Sequence, residues 1–347
     1  MIAPLLAALE HMASARSLTE RQTYDAVASV ITGEASDALI ASFLTGLRVR
    51  GETADELAGA VGAVRDHSVG WPDVSGLGPM LDTCGTGGDG ACSVNISTAA
   101  AIVVAACGVA VAKHGNRSAS GNSGSAEVLA ELGVAVEAEP TVLVRCLAEL
   151  KLTFLYAPKF HPALRFAAPA RRQLPFRTLF NLVGPLANPA RPAYQLIGVP
   201  DPRLADLVAQ AVARLGTTRA AVVTGSDGLD EVSLGGDTRV RWVENGEVSP
   251  RIWPSAAFGL GSVTPEQLRV SGPVESARAI RDLLASKPGP VRSTVLANAA
   301  AALLVAGAVA ELGEGVARAS GAVDDGSAAK LLARWVALGQ EGSQSSS

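Results

Sequence analysis

Aromatic residues make up only 4% of this 347-residue chain. Stacking platforms for single-stranded nucleic acid are therefore scarce. There is no excess of basic residues either: the formal net charge is −4. That balance argues against a nucleic-acid binder, which needs a basic face, although it leaves room for a local basic pocket. Cysteine occurs four times, at Cys84, Cys92, Cys107 and Cys146. No CxxC pair is present and Cys107 lies in an apolar run, so neither a zinc nor a disulfide framework is expected. Reduced thiols fit a cytoplasmic protein. Long apolar runs are missing too. The longest, Ala99 to Ala112, falls short of the about 18 residues that span a bilayer. The first residues, MIAPLLAALEHM, carry no basic stretch of the kind that opens a secretory leader. No internal repeat is evident.

What is present is 48% hydrophobic residues, 18% charged residues and 36 glycines. A chain of this size can bury a main core and support a smaller domain. Residues 1–71 read as wholly helical. Apolar residues recur at helical spacing at Ile2, Leu5, Leu6 and Leu9, at Ala26, Val27, Val30 and Ile31, and at Leu39, Ile40, Phe43, Leu44 and Leu47. Ser17, Thr19 and Thr53 are candidate N-caps and Gly33 a stop. A Pro/Gly-rich linker follows, Trp71 to Pro79.

Strands and helices then alternate. Strands are expected at Met80–Thr83, Val109–Ala112, Val134–Val136, Thr153–Tyr156, Tyr194–Val199 and Ala220–Thr224. Helices are expected at Thr98–Cys107, Ser125–Leu132, Thr141–Leu150 and Pro202–Leu215. This alternation predicts an α/β fold with a mostly parallel sheet covered by helices. Residues 72–347 form the larger domain, with roughly 163–189, broken by prolines, packing back on the small helical one. Toward the C-terminus, helices are expected at Pro265–Leu268, Ser276–Ala285, Val291–Ala310 and Gly326–Leu338, and the Ser-rich tail Glu341–Ser347 is expected to be disordered.

The stretch from Asp82 to Glu127 carries three polar clusters separated by apolar segments. They are Gly85-Thr86-Gly87-Gly88-Asp89-Gly90, then Asn95-Ile96-Ser97-Thr98, then Lys113-His114-Gly115-Asn116-Arg117 with Ser118, Ser120, Ser123 and Ser125. Glycine lets backbone N–H groups approach an anion without a Cβ in the way. Ser97 and Thr98 sit where a helix should begin, with its unpaired N–H groups and positive dipole end. Lys113 supplies a point charge and Arg117 a planar fork. The pattern reads as a phosphate cradle. A dinucleotide loop also fits GxGxxG, but it expects an acid roughly 20 residues on. Between Asp89 and Glu127 there is no Asp or Glu. Further along, Arg165, Arg171, Arg172, Arg177 and His161 fall in one Pro-bounded segment. The adjacent Asp230 and Glu231 follow a strand end, and read either as an exposed acidic turn or as ligands for Mg²⁺.

Gly-Thr-Gly-Gly-Asp, Asn-x-Ser-Thr and Lys-His-Gly-Asn-Arg, in this order and spacing, resemble the anthranilate phosphoribosyltransferase family. PxRR followed by FRTLFNLVGPL extends the likeness over nearly the whole chain. The resemblance implies transfer of a phosphoribosyl group from 5-phosphoribosyl 1-diphosphate (PRPP) to anthranilate in tryptophan synthesis, in a cytoplasmic homodimer joined through the helical domain. It assigns Gly85, Gly88, Asp89, Ser93, Asn95, Ser97, Thr98, Lys113, Asn116, Ser120 and Gly121 to PRPP. Gly85, Asn116 and Arg171 go to anthranilate, and Ser97, Asp230 and Glu231 to Mg²⁺. The sequence departs from the family twice: Gly121 replaces the second of two serines, and Glu127 replaces an aspartate. A pyrimidine nucleoside phosphorylase, a non-catalytic paralogue that binds nucleic acid and a pathway scaffold without turnover are the competing readings.

Overall fold

Two of the first helices start the same way. In the computed structural model, which describes residues 2–88, 90–118 and 123–344, Thr19 and Thr53 each accept a hydrogen bond from the backbone N–H three residues on. Gln22 and Glu56 accept from the cap's own N–H in return, which closes two capping boxes. Ser36 caps a third helix. Ser17 is not a cap; its hydroxyl accepts from Arg50 at 2.7 Å. The four helices are α1 (Ala3–Ala13), α2 (Glu20–Ile31), α3 (Asp37–Arg50) and α4 (Ala54–Asp66). Glu56 is fully buried and knots them together. Its carboxylate pairs with Arg50 at the end of α3 and accepts from the Leu18 N–H at 2.8 Å.

After the linker the chain runs β1 (Leu81–Gly85), α5 (Ile96–Ala106), β2 (Val111–Gly115), α6 (Ser125–Glu131), α7 (Pro140–Leu150) and β3 (Leu152–Tyr156). Three short helices follow: α8 (Ala157–Phe160), α9 (Ala168–Gln173) and α10 (Leu179–Leu186). Then come β4 (Tyr194–Gly198), α11 (Pro202–Arg214), β5 (Arg219–Gly225), β6 (Thr238–Glu244) and β7 (Glu247–Trp253). Four helices close the described chain: α12 (Pro273–Leu284), α13 (Pro290–Val305), α14 (Leu312–Asp324) and α15 (Ser327–Gln344).

The sheet order is β3-β2-β1-β4-β5-β6-β7. The first five strands are parallel, and β6 and β7 add an antiparallel edge. Asn245 and Gly246, both at positive φ, make the two-residue turn between β6 and β7. Both faces of the sheet are apolar, as expected where helices cover both sides. Leu196, Ala221 and Val223 face α5 and the C-terminal helices, while Ile197, Ala220 and Val222 share a core with α11 and the N-terminal helices. Ala167, Ala170, Leu179 and Phe180 from the Pro-bounded segment join that second core, beside Ile40, Phe43 and Leu57. Among the described residues no helix is long and apolar enough to cross a membrane.

Several expectations are corrected. Val134–Val136 is not a strand. Gly133 turns at φ +96°, the Val134 N–H bonds back to the Leu129 carbonyl, and Val134 is buried in the core. The backbone is satisfied locally and has no ladder to join. The long helix expected over 291–310 ends at Val305, and α14 follows as a separate helix that the sequence did not announce. Residues 341–344 continue α15; Glu341 pairs with Arg145 and Arg334, which holds the polar end helical. Residues 345–347 lie outside the described residues.

Candidate functional site

The strand order reverses between β1 and β4, which makes that place the topological switch point where open α/β sheets bind ligands. Gly85 and Gly198 are register partners there, at the carboxyl ends of their strands. Asp230, from the loop after β5, lies over both. A Cβ on Gly85 would meet the Asp230 carboxylate at 2.7 Å, and one on Gly198 would meet the Asp230 carbonyl at 1.6 Å. Two missing side chains therefore make the seat for one acid. From the Gly-rich loop, the Thr86 N–H donates to the Gly198 carbonyl at 2.9 Å and the Gly87 N–H to Asp230 Oδ2 at 2.8 Å. Gly87 and Gly88 hold φ of +63° and +84°, a conformation glycine adopts without strain.

Behind the loop stands a buried ammonium. Lys113 Nζ, in β2, donates to the Thr83 carbonyl at 2.5 Å and to Ser97 Oγ at 3.1 Å. Burial lowers its pKa, against the pull of Asp82, Cys84 and Glu231. Asp82 is fully buried as well, and desolvation lifts its carboxyl to about 6. Lys113 opposes that rise, as do Asn188 Nδ2 at 2.8 Å and the His114 N–H at 3.2 Å. The His114 and His161 rings meet edge-on at 5.2 Å between centroids. Burial first, then the nearby His161 and Arg65, pushes His114 down to about 3, and burial with Arg65 pushes His161 down to about 4.

The mouth of α5 differs from expectation. Asn95, not Ser97 or Thr98, precedes the first helical residue, and Thr98 Oγ1 donates to Asn95 Oδ1. Ser97 thus sits inside the first turn with its hydroxyl turned to Lys113. Asn95 Nδ2 donates to the Ser123 carbonyl at 3.3 Å, which joins the second cluster to the third. In the third cluster Asn116 accepts from Ser125 Oγ at 3.2 Å through its carbonyl. Glu127 accepts from the Ser118 N–H at 3.2 Å. Arg117 donates to the Tyr156 hydroxyl at 3.0 Å.

The Pro-bounded segment contributes two arginines, Arg171 and Arg177. Arg171, in α9, is half-buried with its guanidinium 5.6 Å from the Phe180 ring centroid, and burial lowers its pKa. Arg177 reaches the Gly-rich loop itself. Its two terminal nitrogens donate to the Gly87 carbonyl at 2.5 Å and the Thr86 carbonyl at 2.6 Å.

Comparison with known proteins now bears on this site. Residues 77–329 match the glycosyl transferase family a/b domain, and residues 6–68 match that family's helical bundle domain. The chain is 46% identical over 333 residues to anthranilate phosphoribosyltransferase of Thermomicrobium roseum, covering 95% of each chain. It is 46% identical over 330 residues to the enzyme of Methylobacterium nodulans, covering 95% of this chain and 97% of that one. This chain belongs to the anthranilate phosphoribosyltransferase family. Solved structures of such enzymes superpose closely. That from Thermus thermophilus is 40% identical with a TM-score of 0.90, covering 96% of this chain and 99% of that one. The Saccharomyces cerevisiae enzyme in complex with PRPP and Mg is 27% identical with a TM-score of 0.88, covering 98% and 99%.

Of the residues that the family resemblance singled out, the fold gathers Gly85, Gly88, Asn95, Ser97, Thr98, Lys113 and Asp230 at one sheet edge. Glu231 joins them through its field on Lys113. Asn116 lies at the end of β2. Ser93 pairs by backbone with Arg269 at the loop's far side. Asp89, Ser120 and Gly121 lie outside the described residues. Arg171 sits in α9 over the Phe180 ring and, among the described residues, bonds none of the loop. The donor set suits a magnesium ion: the Asp230 carboxylate over its glycine floor, the adjacent Glu231 and the Ser97 hydroxyl are hard oxygen ligands that leave room for water and phosphate. Among the described residues no group of three or more His, Cys, Asp or Glu is placed to hold a metal ion.

Sequence reasoning missed Gly198, Asn188 and the task of Arg177. Gly198 and Asn188 act through partners far away in the chain, and no local pattern marks them. Arg177 did carry a signal: it stands immediately before a Thr-x-x-Asn helix start.

Proposed function

We propose that the chain joins anthranilate to PRPP, giving N-(5-phosphoribosyl)anthranilate and diphosphate, with Gly88, Asn95, Ser97, Thr98 and Lys113 on the diphosphate and Arg171 on the anthranilate carboxylate. The observation that carries this reading is the seat at the switch point, where glycines, Lys113 and Asp230 converge beyond the sheet edge.

The chemistry asks for little acid or base work. An aromatic amine is already neutral near pH 7. His114 and His161, at about 3 and about 4, are too weakly basic to take a proton there. What remains is positioning and charge stabilisation. Lys113 and the amides of the loop and of the first turn of α5 balance charge as the diphosphate leaves C1 of the ribose. Arg171 orients the acceptor, since its fork pairs both oxygens of a carboxylate. Asp230, Glu231 and Ser97 would hold Mg²⁺, which would supply Lewis-acid neutralisation of the diphosphate. The yeast relative solved with PRPP and Mg supports that cofactor, and the one solved with 4-fluoroanthranilate supports an aromatic acid as acceptor. Reduced thiols and a biosynthetic role support a cytoplasmic location.

The test is consumption of anthranilate, followed by its fluorescence. Loss of signal only when PRPP and Mg²⁺ are both present is expected. No loss under those conditions, or phosphorolysis of thymidine or uridine instead, contradicts the reading.

A further inference from the structure

We propose that Arg177 is a positioning residue for phosphoribosyl transfer: it grips two carbonyls of the Gly-rich loop, and so fixes the Gly87 amide on Asp230 and aims the Gly88 amide hydrogen at the diphosphate. The inference deepens the reading above and rests on it.

Arg177 is anchored on the far side of the cleft. The next residue, Thr178, opens α10 with a capping box to Asn181, and α10 buries Leu179, Phe180 and Leu182 in the core shared with the N-terminal helices. The guanidinium thus projects from a fixed element. It holds the Thr86 and Gly87 carbonyls together, at 2.6 and 2.5 Å.

A trans peptide points its C=O and its N–H in opposite directions, and none of the described peptide bonds is cis. Holding the Thr86 carbonyl therefore turns the Gly87 N–H away from the guanidinium, and Asp230 Oδ2 meets it there at 2.8 Å. Holding the Gly87 carbonyl turns the Gly88 N–H away likewise, toward the side that an anion approaches. One planar fork sets two peptide planes at once in a fixed relative geometry, which the freely rotating ammonium of a lysine does not impose. The glycine at 88 is part of the device. A Cβ there would lie 1.6 Å from the Arg177 nitrogen, so any other residue displaces the guanidinium. Asp230 also draws on Arg177 electrostatically, which couples the proposed metal-binding acid to the same loop.

The experiment is a calorimetric titration of the full-length protein with PRPP and Mg²⁺, with steady-state kinetics, for wild type, Arg177→Met, Arg177→Lys and Gly88→Ala. Arg177→Met is expected to raise the PRPP KM about ten-fold or more while the anthranilate KM stays within about two-fold. Arg177→Lys should recover part of the loss, because it keeps the charge and N–H donors for these carbonyls but not the fixed planar fork. Gly88→Ala keeps every charge but unseats the fork, and should show the same selective loss. An unchanged PRPP KM in Arg177→Met, or an equal rise for both substrates, overturns the proposal. If Arg177→Met gives no cooperative melt, the other two variants decide by the same criterion. Wild type is titrated first: failure of wild type to bind PRPP sinks the functional reading and this proposal together. Wild-type binding that all three variants match sinks this proposal alone.

Discussion

Asp82, His114 and His161 show what burial does to single residues beside the site. The two imidazoles resist protonation, so their stabilising effect is present above pH 6.5 and lost as the pH falls toward 4 and 3. Asp82 works the other way: its raised pKa favours the fold at low pH, and that contribution is lost as the pH rises through about 6. Between about pH 5.5 and 4 the unfolded chain binds two histidine protons while the fold binds the one on Asp82. The net difference is one proton. Stability should fall by about 1.4 kcal/mol per pH unit on acidification from these three groups. Asp82→Asn removes the opposing proton, so its stability should fall about twice as steeply; His161→Phe should fall hardly at all. Urea midpoints at several pH values measure the slopes, and equal slopes in all three proteins contradict the assignment. Arg171 makes a separate prediction. Arg171→Ala should raise the anthranilate KM much more than the PRPP KM in steady-state assays, and equal rises contradict its role.

At the scale of elements, close packing by small residues explains both a test and a miss. Gly59 in α4 lies where a Cβ would be 2.1 Å from the Glu20 carbonyl, so α2 and α4 cross on backbone contact. Gly59→Ala should cost about 1–3 kcal/mol by overpacking. Gly321→Ala on α14, where a Cβ meets nothing within 4 Å, should gain about 0.5–1 kcal/mol from helix propensity. Urea denaturation distinguishes the two signs. The same kind of contact hid α14 from the sequence. Gly315 packs on the backbone of Ala300, where a Cβ would come within 2.8 Å, so this helix needs no broad stripe of large apolar residues. The N-terminal helices were legible because Leu5, Phe43 and Leu47 do form such a stripe and threonine caps announce two of the starts. The parallel strands were legible from apolar runs bounded by glycine. Val134–Val136 has the residue types of a strand, yet its hydrogen bonds close within the turn. In the site, the glycine loop, Lys113 and the acidic pair stood out as local clusters. Gly198 and Asn188 did not, because each acquires meaning only through a contact such as Asn188 to Asp82, 106 residues away.

At the scale of the whole molecule, the helical half leaves Val49 82% and Leu6 40% exposed on α3 and α1. The family resemblance implies a homodimer joined through this half, and we propose that Val49 and Leu6 take part in that contact. Light scattering should give twice the 35.2 kDa chain mass, and Val49→Asp should shift it toward the monomer; a monomeric wild type contradicts the assignment. We propose that the two halves of the molecule supply different parts of one site: the sheet edge carries the loop, Lys113 and Asp230, while Arg177, which reaches the loop, and Arg171 come from the segment packed on the helical half. The most direct measurement of that arrangement is a crystal structure with PRPP, Mg²⁺ and anthranilate all bound. The diphosphate is expected against Gly88, Ser97 and Lys113, the metal on Asp230 and Glu231, and the anthranilate carboxylate on Arg171. Density for PRPP elsewhere, or an anthranilate carboxylate turned away from Arg171, would contradict that arrangement.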